Sequence, residues 1–279
     1  MKIKRLREEA FRRATGVKKS TFEVMLEILE TAHEARRKKG GPKSKLTEAD
    51  RLLLTLEYLR EYRTYLHIGL AYGVSESQAC RIHRWVEKEL MKDNRFHLPG
   101  RKSLVQNESA CEVVLVDATE SPVERPKKKH KVKHRRNQQK KYDSGKKKRH
   151  TQKTQVIVDP ATRPIICTDF CVGRQHDFRL LKEGKIRFHP NLQVGVDTGY
   201  QGLEKFHKKT TIPKKKSKRR PLSRQDKMNN RKKSAVRGVV EHVIGSVKRF
   251  RILCERYRNR RTRFGLRFNL VAAIHNFEL

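Results

Sequence analysis

The sequence predicts an α/β protein in which an all-α region with a helix-turn-helix precedes a mixed sheet flanked by helices. Three observations predict this fold class. Apolar residues recur at spacings of three and four through residues 1–92, and β-branched runs begin only after residue 111. Pro99-Gly100 separates the helical pattern from the strand pattern. We therefore predict a helical domain over 1–95, a linker over 96–110 and an α/β domain over 111–279.

Apolar periodicity and end signals predict the first helices. A helix over 21–36 carries Phe22 and Met25 on its apolar side, and the sequence Gly40-Gly41-Pro42 ends it. A second helix is expected to begin at Thr47, whose hydroxyl suits an N-cap.

Residues 65–91 have the pattern of a helix-turn-helix. A short helix over 65–72 leads into the turn Gly73-Val74-Ser75, in which Gly73 can adopt a positive φ and Ser75 can cap the next helix, 76–91. The second helix has an apolar face that is expected to pack inward and a polar, basic face that suits a DNA major groove. The alternative for the polar face is a charged surface exposed to solvent. Trp85 is predicted to anchor the core between these helices. The inward residues are Ala79, Ile82, Val86 and Leu90, and the outward, DNA-facing residues are Ser77, Gln78, Arg81, Arg84 and Lys88.

Short apolar runs predict the first strands of the sheet. Residues 113–116 are predicted to form a buried strand that ends at Asp117. Two further strands, 150–158 and 165–172, are predicted to pair as an antiparallel hairpin that turns at Asp159-Pro160.

Helices and basic segments complete the predicted α/β domain. A short helix over 176–183 precedes a strand over 192–196 that ends at Asp197, and long helices follow over 234–250 and 263–277. Two lysine-rich and arginine-rich blocks, 125–149 and 208–233, lack an apolar period and are predicted to be helix-poor loops or arms. The inward stripe of the last helix is predicted to be Leu266, Leu270, Ile274 and Phe277.

The charge of the chain points to a polyanionic partner. There are 69 Lys and Arg residues against 30 acidic ones, a formal net charge of +39. Such a chain repels itself unless a polyanion neutralises it, and nucleic acid is the obvious one. A packaging protein or a disordered basic tail are the alternatives, although the 35% of hydrophobic residues in periodic blocks argue against a tail.

Other compositional features exclude several classes of protein. The five cysteines are odd in number and form no Cys-x-x-Cys pair, which argues against a disulfide framework and a structural zinc site. The N-terminus lacks the apolar core of a secretory signal, and no apolar run approaches the roughly 20 residues that cross a bilayer. We therefore expect a cytoplasmic protein that associates with the nucleoid when it is bound to DNA.

Acidic residues at the ends of apolar strands predict a metal site. Asp117 and Asp197 each follow such a strand, where an unpaired carboxylate is costly, and adjacent strands would bring them together as hard oxygen ligands for Mg²⁺ or Mn²⁺. Glu241 would supply a third carboxylate from a helix on which Arg237 and Lys248 share its stripe and could contact DNA phosphates. The alternative is that Arg237 and Glu241 form an ordinary surface pair.

Competing acids and histidines have simpler explanations. Asp159 suits the hairpin turn, and Asp169 lies in the middle of a predicted strand. His176 and Asp177 lie near a helix start, so they are candidates for a cap or for residues that orient the metal-binding side chains. A zinc site at His130 and His134 is unfavourable, because their lysine-rich surroundings repel a cation.

The sequence contains five ordered blocks, Val116–Glu120, Gly145–Lys153, Gly173–Asp177, Val196–Gly202 and Val240–Phe250. These blocks resemble the successive motifs of DDE transposases of the insertion-sequence-5 family. The resemblance implies an RNase H-like catalytic domain, a helical domain that binds terminal inverted repeats, and a Mg²⁺-dependent site formed by Asp117, Asp197 and Glu241. It also implies that Lys248, seven residues after Glu241, contacts DNA near the cleavage point, and we expect the neighbouring Arg249 to do the same.

The reaction expected of such a site is cleavage of DNA phosphodiesters followed by strand transfer. Two Mg²⁺ ions, or Mn²⁺ in their place, would activate the attacking oxygen and stabilise the leaving one. The basic arms 125–149 and 208–233 would hold DNA backbones, and pairing two element ends would require at least a dimer in the synaptic complex. The alternatives are an RNase H-like nuclease without strand transfer and a DNA-binding descendant that has lost its chemistry.

Overall fold

A computed structural model describes residues 5–38, 40, 45–106, 111–126, 138–216 and 221–279. The chain divides into two compact units. The helical unit comprises the described residues up to His97 together with Val247–Glu255 and Arg263–Glu278. The sheet unit comprises the described residues of Leu98–Ser246 together with Arg256–Thr262 and Leu279. The C-terminal segment Arg263–Glu278 packs with the helical unit, and the domain boundaries at 95 and 110 stay predictions.

The helical unit is built from short amphipathic helices whose ends follow the predicted signals. The Thr47 hydroxyl accepts a hydrogen bond from the Asp50 amide and caps the third helix. Gly16 and Gly73 terminate two helices with φ of +82° and +65°, values that glycine adopts without strain. The helices are α1 Glu8–Thr15, α2 Lys19–Arg37, α3 Glu48–Glu61, α4 Tyr65–Tyr72, α5 Glu76–Leu90 and the C-terminal α9 Phe264–Phe277.

The predicted helix-turn-helix is formed by α4 and α5. The side chain of Thr64 caps α4 and that of Ser75 caps α5, where its hydroxyl accepts a hydrogen bond from the Gln78 amide 3.2 Å away. The Val74 amide donates to the Gly69 carbonyl across the turn. A Cβ on Gly69 would lie 2.5 Å from the Val74 carbonyl oxygen, so a side chain there would force the two helices apart.

The buried face of α5 differs from its prediction. Ala79, Val86 and Leu90 are buried as expected, but Ile82 is only half-buried. Trp85 is also half-buried, so it is not the fully buried core anchor that was predicted. The Arg51 guanidinium lies over its ring, 5.4 Å from the centroid.

Helix α9 is buried on several sides and does not present a single inward stripe. Leu270 and Ile274 are fully buried as predicted, but Leu266 is half-buried and Phe277 is 37% exposed. Arg267 is buried on α9, where its guanidinium binds a carboxylate of α5 and thereby satisfies its charge.

The sheet unit contains a mixed sheet whose strands pair in the order β2-β3-β1-β5-β6, with β4 also paired to β3. The predicted hairpin is confirmed, because β3 and β4 are antiparallel, and β1 pairs antiparallel with β3 and parallel with β5. This is the mixed α/β arrangement flanked by helices that the sequence predicts. The strands are β1 Val113–Pro122, β2 Asp143–Ser144, β3 Arg149–Val158, β4 Ile165–Val172, β5 Gln193–Val196 and β6 Thr210–Thr211.

Helices of the sheet unit are α6 Gln138–Tyr142, α7 Asp177–Glu183 and most of α8, Arg224–Lys248. Two predictions about the basic blocks are wrong in part. Helix α8 begins ten residues before the predicted Ser234, because its exposed first half carries helix-forming Arg, Gln and Lys without an apolar stripe. The 125–149 block likewise contains α6 and β2, while its residues 127–137, including His130 and His134, and residues 217–220 of the second block lie outside the described residues.

The core of the sheet unit lies on the strands formed by the apolar runs that were predicted from the sequence. Val114, Val116, Val194 and Val196 are all at most 1% exposed, and they pack in one cluster with Ile157. Val114 and Val116 precede Asp117, and Val194 and Val196 precede Asp197. The packing of these valines therefore holds the two carboxylates in place. Among the described residues, no helix is long and apolar enough to cross a membrane.

Candidate active site

Asp117 and Asp197 lie beside each other on two parallel strands. Val116 pairs with Val196 in the last register pair of β1 and β5, and each aspartate is the next residue of its chain. Adjacent strands lie about 4.8 Å apart, so this register brings the two carboxylates to neighbouring positions. The predicted pairing of these acids is therefore present, although Asp117 lies in the middle of β1 and not at its end. The strand continues because its later residues pair with β3.

Backbone amides hold one oxygen of each carboxylate. The Ala118 amide donates to Oδ1 of Asp117, and the Gly199 amide donates to Oδ1 of Asp197, both at 2.8 Å. Oδ2 of Asp117 faces Arg237 of α8, whose Nη2 lies 4.0 Å away. The Nε of Arg237 is buried and has no hydrogen-bond partner among the described residues. Arg237 is thus placed next to the acids and retains a donor that a phosphate oxygen could accept.

The electrostatics of Asp117 reflect concentrated negative charge. Burial raises the pKa of its carboxyl group, and the carboxylates of Asp197 and Asp177 raise it further. The Ala118 amide and the Arg237 guanidinium oppose this rise but do not cancel it. A site that raises the pKa of a carboxyl in this way favours a bound cation.

Asp177 joins the same group of acids. Its Oδ1 accepts a hydrogen bond from Nζ of Lys153 at 2.6 Å, and Lys153 also donates to the Gln175 carbonyl. A Cβ on Gly199 would lie 2.9 Å from Oδ1 of Asp197 and 3.3 Å from Oδ2 of Asp177. Glycine at this position therefore allows the two carboxylates to approach the same backbone segment. His176 occupies the N-cap position of α7, but its side chain makes no capping hydrogen bond.

Two residues of the site were not predicted from the sequence. Lys153 is only 8% exposed on β3, and Tyr200, which is fully buried, accepts a hydrogen bond from Nε2 of Gln155 at 2.8 Å. Burial raises the pKa of Tyr200 well above its ordinary value, and the three aspartates add to that rise. One feature of the sequence could have identified Lys153: it lies two residues before Gln155 on the same predicted strand, so the two side chains share one face of the sheet. That signal was weak because Lys153 ends a long basic segment.

The structure does not gather Glu241 with the aspartates. Glu241 is exposed on α8, one turn after Arg237. No group of three or more His, Cys, Asp or Glu side chains within the described ranges is arranged to hold a metal ion. The aspartate pair is therefore assembled, whereas Glu241 lies on the helix that carries Arg237 to that pair.

The two predicted DNA-contacting residues at the end of α8 differ in their surroundings. Lys248 is the last residue of the helix and is half-buried. The Arg249 guanidinium binds Oε2 of Glu278 at 2.7 Å and lies over the Phe250 ring. Because Arg249 is committed to these contacts within the helical unit, we leave it out of the proposed DNA contacts.

Most of the outward face of α5 is exposed as predicted, and its contact with DNA stays a prediction. Ser77, Arg81, Arg84 and Lys88 are exposed, and Gln78 is half-buried at the first turn. Beneath this face lies a buried polar network that the sequence did not reveal. Nε2 of His83 lies 2.7 Å from Oε1 of Glu87, and Glu87 also binds Arg263 and Arg267.

The donor set fits a hard divalent cation. Two neighbouring carboxylates, each with one oxygen fixed by an amide, offer the oxygen ligands that Mg²⁺ and Mn²⁺ prefer. The adjacent Asp177 adds negative charge, and Lys153 balances part of it.

A helix-turn-helix unit precedes a mixed sheet on which two aspartates lie side by side. The family model described as DDE superfamily endonuclease matches residues 116–276, and the model described as helix-turn-helix of DDE superfamily endonuclease matches residues 44–93. The chain belongs to the DDE superfamily endonucleases. It is 45% identical over 278 residues to a protein of Microchaete diplosiphon named probable transposase for insertion sequence element IS702, covering 100% of this chain and 97% of that relative. No solved structure gives a significant match.

Proposed function

We propose that the chain is an insertion-sequence transposase that binds the terminal inverted repeats of its element, cleaves DNA there and joins the cut ends to a target. The observation that carries the proposal is the side-by-side placement of Asp117 and Asp197 beyond the Val116–Val196 pair, beside an arginine on α8. The 45% identity to a named probable transposase along the whole chain supports the same conclusion.

Asp117 and Asp197 would hold the divalent metal, with Glu241 as the third ligand. The metal would be Mg²⁺, bound as two ions, and Mn²⁺ could replace it. It would activate the attacking oxygen and stabilise the leaving oxygen. The Ala118 and Gly199 amides fix the orientation of the two aspartates, which limits the reorganisation needed when a cation binds. Glu241 would join them through movement of α8 or of its own side chain when DNA and metal are present.

Arg237 would act on the DNA and on Asp117 in turn. In the protein alone its guanidinium lies 4.0 Å from Asp117 and offsets the negative charge. With a divalent cation balancing the carboxylates, Arg237 would be available to bind the phosphate at the cleavage point, and its Nε has no protein partner among the described residues. Lys248 would contact the DNA further along the same helix.

Helix α5 would read the inverted repeat in the major groove. Its exposed polar and basic side chains lie on one face, and Ser75 caps the end that would point toward the bases. The described parts of the basic blocks 125–149 and 208–233 would bind backbones without sequence preference. Two copies of the chain, at least, would be needed to hold two element ends in one synaptic complex.

Incubation of the purified protein with Mg²⁺, inverted-repeat DNA and a supercoiled target tests this proposal. A transposase yields both cut ends and products joined to the target. Cleavage without joining would instead identify a nuclease without strand transfer.

One observation favours a second candidate, a DNA-binding descendant without chemistry. Glu241 is exposed and does not group with the aspartates among the described residues. For such a protein, inverted-repeat binding would be measurable while no metal produced cut ends. The same incubation separates the two candidates.

A further inference from the structure

A short turn at 259–262 presents arginines from a rigid support in the sheet unit. Tyr257, two residues before the turn, is fully buried and forms an isolated parallel bridge with Val123, just beyond β1. The Tyr257 amide donates to the Pro122 carbonyl, and the Tyr257 hydroxyl donates to the Thr262 carbonyl at 2.7 Å. Both ends of the turn are therefore fastened to the sheet.

The backbone of this turn is unfavourable for the residues that occupy it. The Thr262 amide donates to the Asn259 carbonyl at 2.9 Å, and the two residues between them, Arg260 and Arg261, have φ of +46° and +69°. That combination is the pattern of a type I′ turn, whose central positions favour Asn and Gly because a side chain strains the left-handed conformation. Arginine at both positions opposes the local preference. Residues that break a local rule in this way are expected where their side chains have a function.

The two arginine side chains of the turn differ in their contacts. The Arg261 guanidinium lies 4.4 Å from the centroid of the Tyr142 ring, which ties the turn to the end of α6. Arg260 is exposed, and its guanidinium has no hydrogen bond or ion pair with any of the described residues. Packing therefore explains Arg261 in part but does not explain Arg260.

The surroundings of the turn are strongly basic. The β2–β3 turn lies at the same end of the sheet, since the Val123 amide donates to the His150 carbonyl. Residues 138–149 contain one acid, Asp143, against the exposed basic residues Lys140, Lys141, Lys146, Lys147, Lys148 and Arg149. A cationic surface of this kind suits the phosphate backbone of a duplex.

We propose that the 259–262 turn is a DNA-backbone contact separate from α5 and from the metal site, and that Arg260 is held in its strained conformation to reach a phosphate. This inference rests on the proposed function, because it takes DNA as the substrate. Asp117 and Pro122 are five residues apart on β1, a span of about 17 Å at about 3.4 Å per residue. The contact is therefore expected on DNA that flanks the cleaved bond and not at the bond itself.

Arg260→Asn separates the functional reason from the structural one. Asparagine suits the left-handed φ, so the variant is expected to raise Tm by about 2 °C. At the same time the affinity for duplex DNA should fall roughly fivefold, and the slope of log K against log salt should fall by about one. Arg260→Lys keeps the charge and is expected to retain the salt slope.

Arg163→Asn is the matched control. Arg163 is another exposed arginine with positive φ, +68°, but it lies in the β3–β4 turn at the other end of β3. Its replacement should relieve the same strain without changing DNA binding. Equal losses of affinity in both variants, or an unchanged affinity and salt slope for Arg260→Asn whatever its Tm, would overturn the proposal.

Three DNA substrates identify which DNA is contacted. The affinity of each variant is measured for an uncut end with flanking DNA, for a precut end and for a target duplex. The duplex to which Arg260→Asn binds more weakly than the wild type contains the contacted segment. The wild-type protein is assayed for Mg²⁺-dependent cleavage in parallel. If the wild type does not cut, the proposed function fails, whereas normal cutting with no effect of Arg260→Asn refutes the turn contact alone.

Discussion

Nζ of Lys153 lies 2.6 Å from Oδ1 of Asp177, and this pair borders the two aspartates of the candidate active site. Lys153 is nearly buried, so its charge acts on its neighbours with little screening by solvent. It balances Asp177, which otherwise adds its negative charge to that of Asp117 and Asp197.

Lys153→Met is therefore expected to slow DNA cleavage by roughly tenfold or more at neutral pH. Without Lys153 the charge of Asp177 is uncompensated, and Asp177 loses the ammonium group that holds it beside Asp117 and Asp197. Single-turnover cleavage measured between pH 6 and 9 checks this. Lys205→Met, at an exposed lysine of the sheet unit, serves as control, and an unchanged rate for Lys153→Met would refute the role of the pair.

Glu87 is the centre of the buried network on the inner side of α5. Burial alone would raise the pKa of Glu87, but hydrogen bonds from His83 and Arg267, together with the charge of Arg267, outweigh it and hold the pKa well below its ordinary value. Glu87→Gln leaves the buried Arg267 without its counter-charge, so the free energy of unfolding should fall by about 3 kcal/mol. Urea denaturation measures the loss. Glu89→Gln, which breaks an exposed pair with Lys92, should change stability by less than about 1 kcal/mol.

The same network makes the stability of the helical unit sensitive to acid. Burial lowers the pKa of His83 below its ordinary value of 6.5, although Glu87 opposes the change. The folded protein thus binds a proton at His83 less readily than the unfolded chain, and this contribution to stability is lost as the pH falls below about 6.5. Glu87 acts in the same direction, since its lowered pKa removes stability as the pH falls from about 4.5 toward 2.

We therefore expect the urea midpoint to decrease between pH 7.5 and pH 5. His83→Phe removes the titrating group while keeping a ring beside Tyr58 and Tyr65, whose rings contact His83. This variant should show a flatter pH dependence over that range. A wild-type midpoint that is constant or increases on acidification would contradict the assignment of a neutral buried His83.

The exposed arginines of α5 are expected to matter for DNA and not for the fold. Arg81→Ala combined with Arg84→Ala should weaken inverted-repeat binding by at least about tenfold, because two charge-assisted contacts are lost. Thermal unfolding should change little, since both side chains are exposed. Fluorescence anisotropy with specific and scrambled DNA makes the measurement. Equal losses on both DNAs would assign these arginines to the phosphate backbone and not to base recognition.

Local signals were sufficient for much of the fold. The Gly73 turn, the Ser75 cap and the β3–β4 hairpin each depend on residues close in sequence, and each is present. The aspartate pair was also predictable, because apolar strands of matching length precede both acids. The helix-turn-helix and the mixed sheet follow from the same periodicities.

Features that depend on distant partners were not predictable. β1 continues past Asp117 because β3 supplies its hydrogen bonds, and Glu87 is buried because Arg267, 180 residues away, neutralises it. Helix α8 extends through a basic block that has no apolar period. Phe277 satisfies a helical stripe and is nevertheless 37% exposed, although its ring contacts the ring of Phe96.

Single-turnover cleavage of inverted-repeat DNA by Asp117→Asn, with and without Mg²⁺, tests the central claim most directly. The substitution keeps the shape of the side chain but removes the charge that would hold the metal. We expect cleavage to fall by at least about a thousandfold with DNA affinity unchanged. Glu241→Gln should behave in the same way, whereas Asp143→Asn, at an exposed acid of β2, should cleave normally. Full cleavage by Asp117→Asn, or cleavage by the wild type without any divalent ion, would contradict a metal-dependent DDE site.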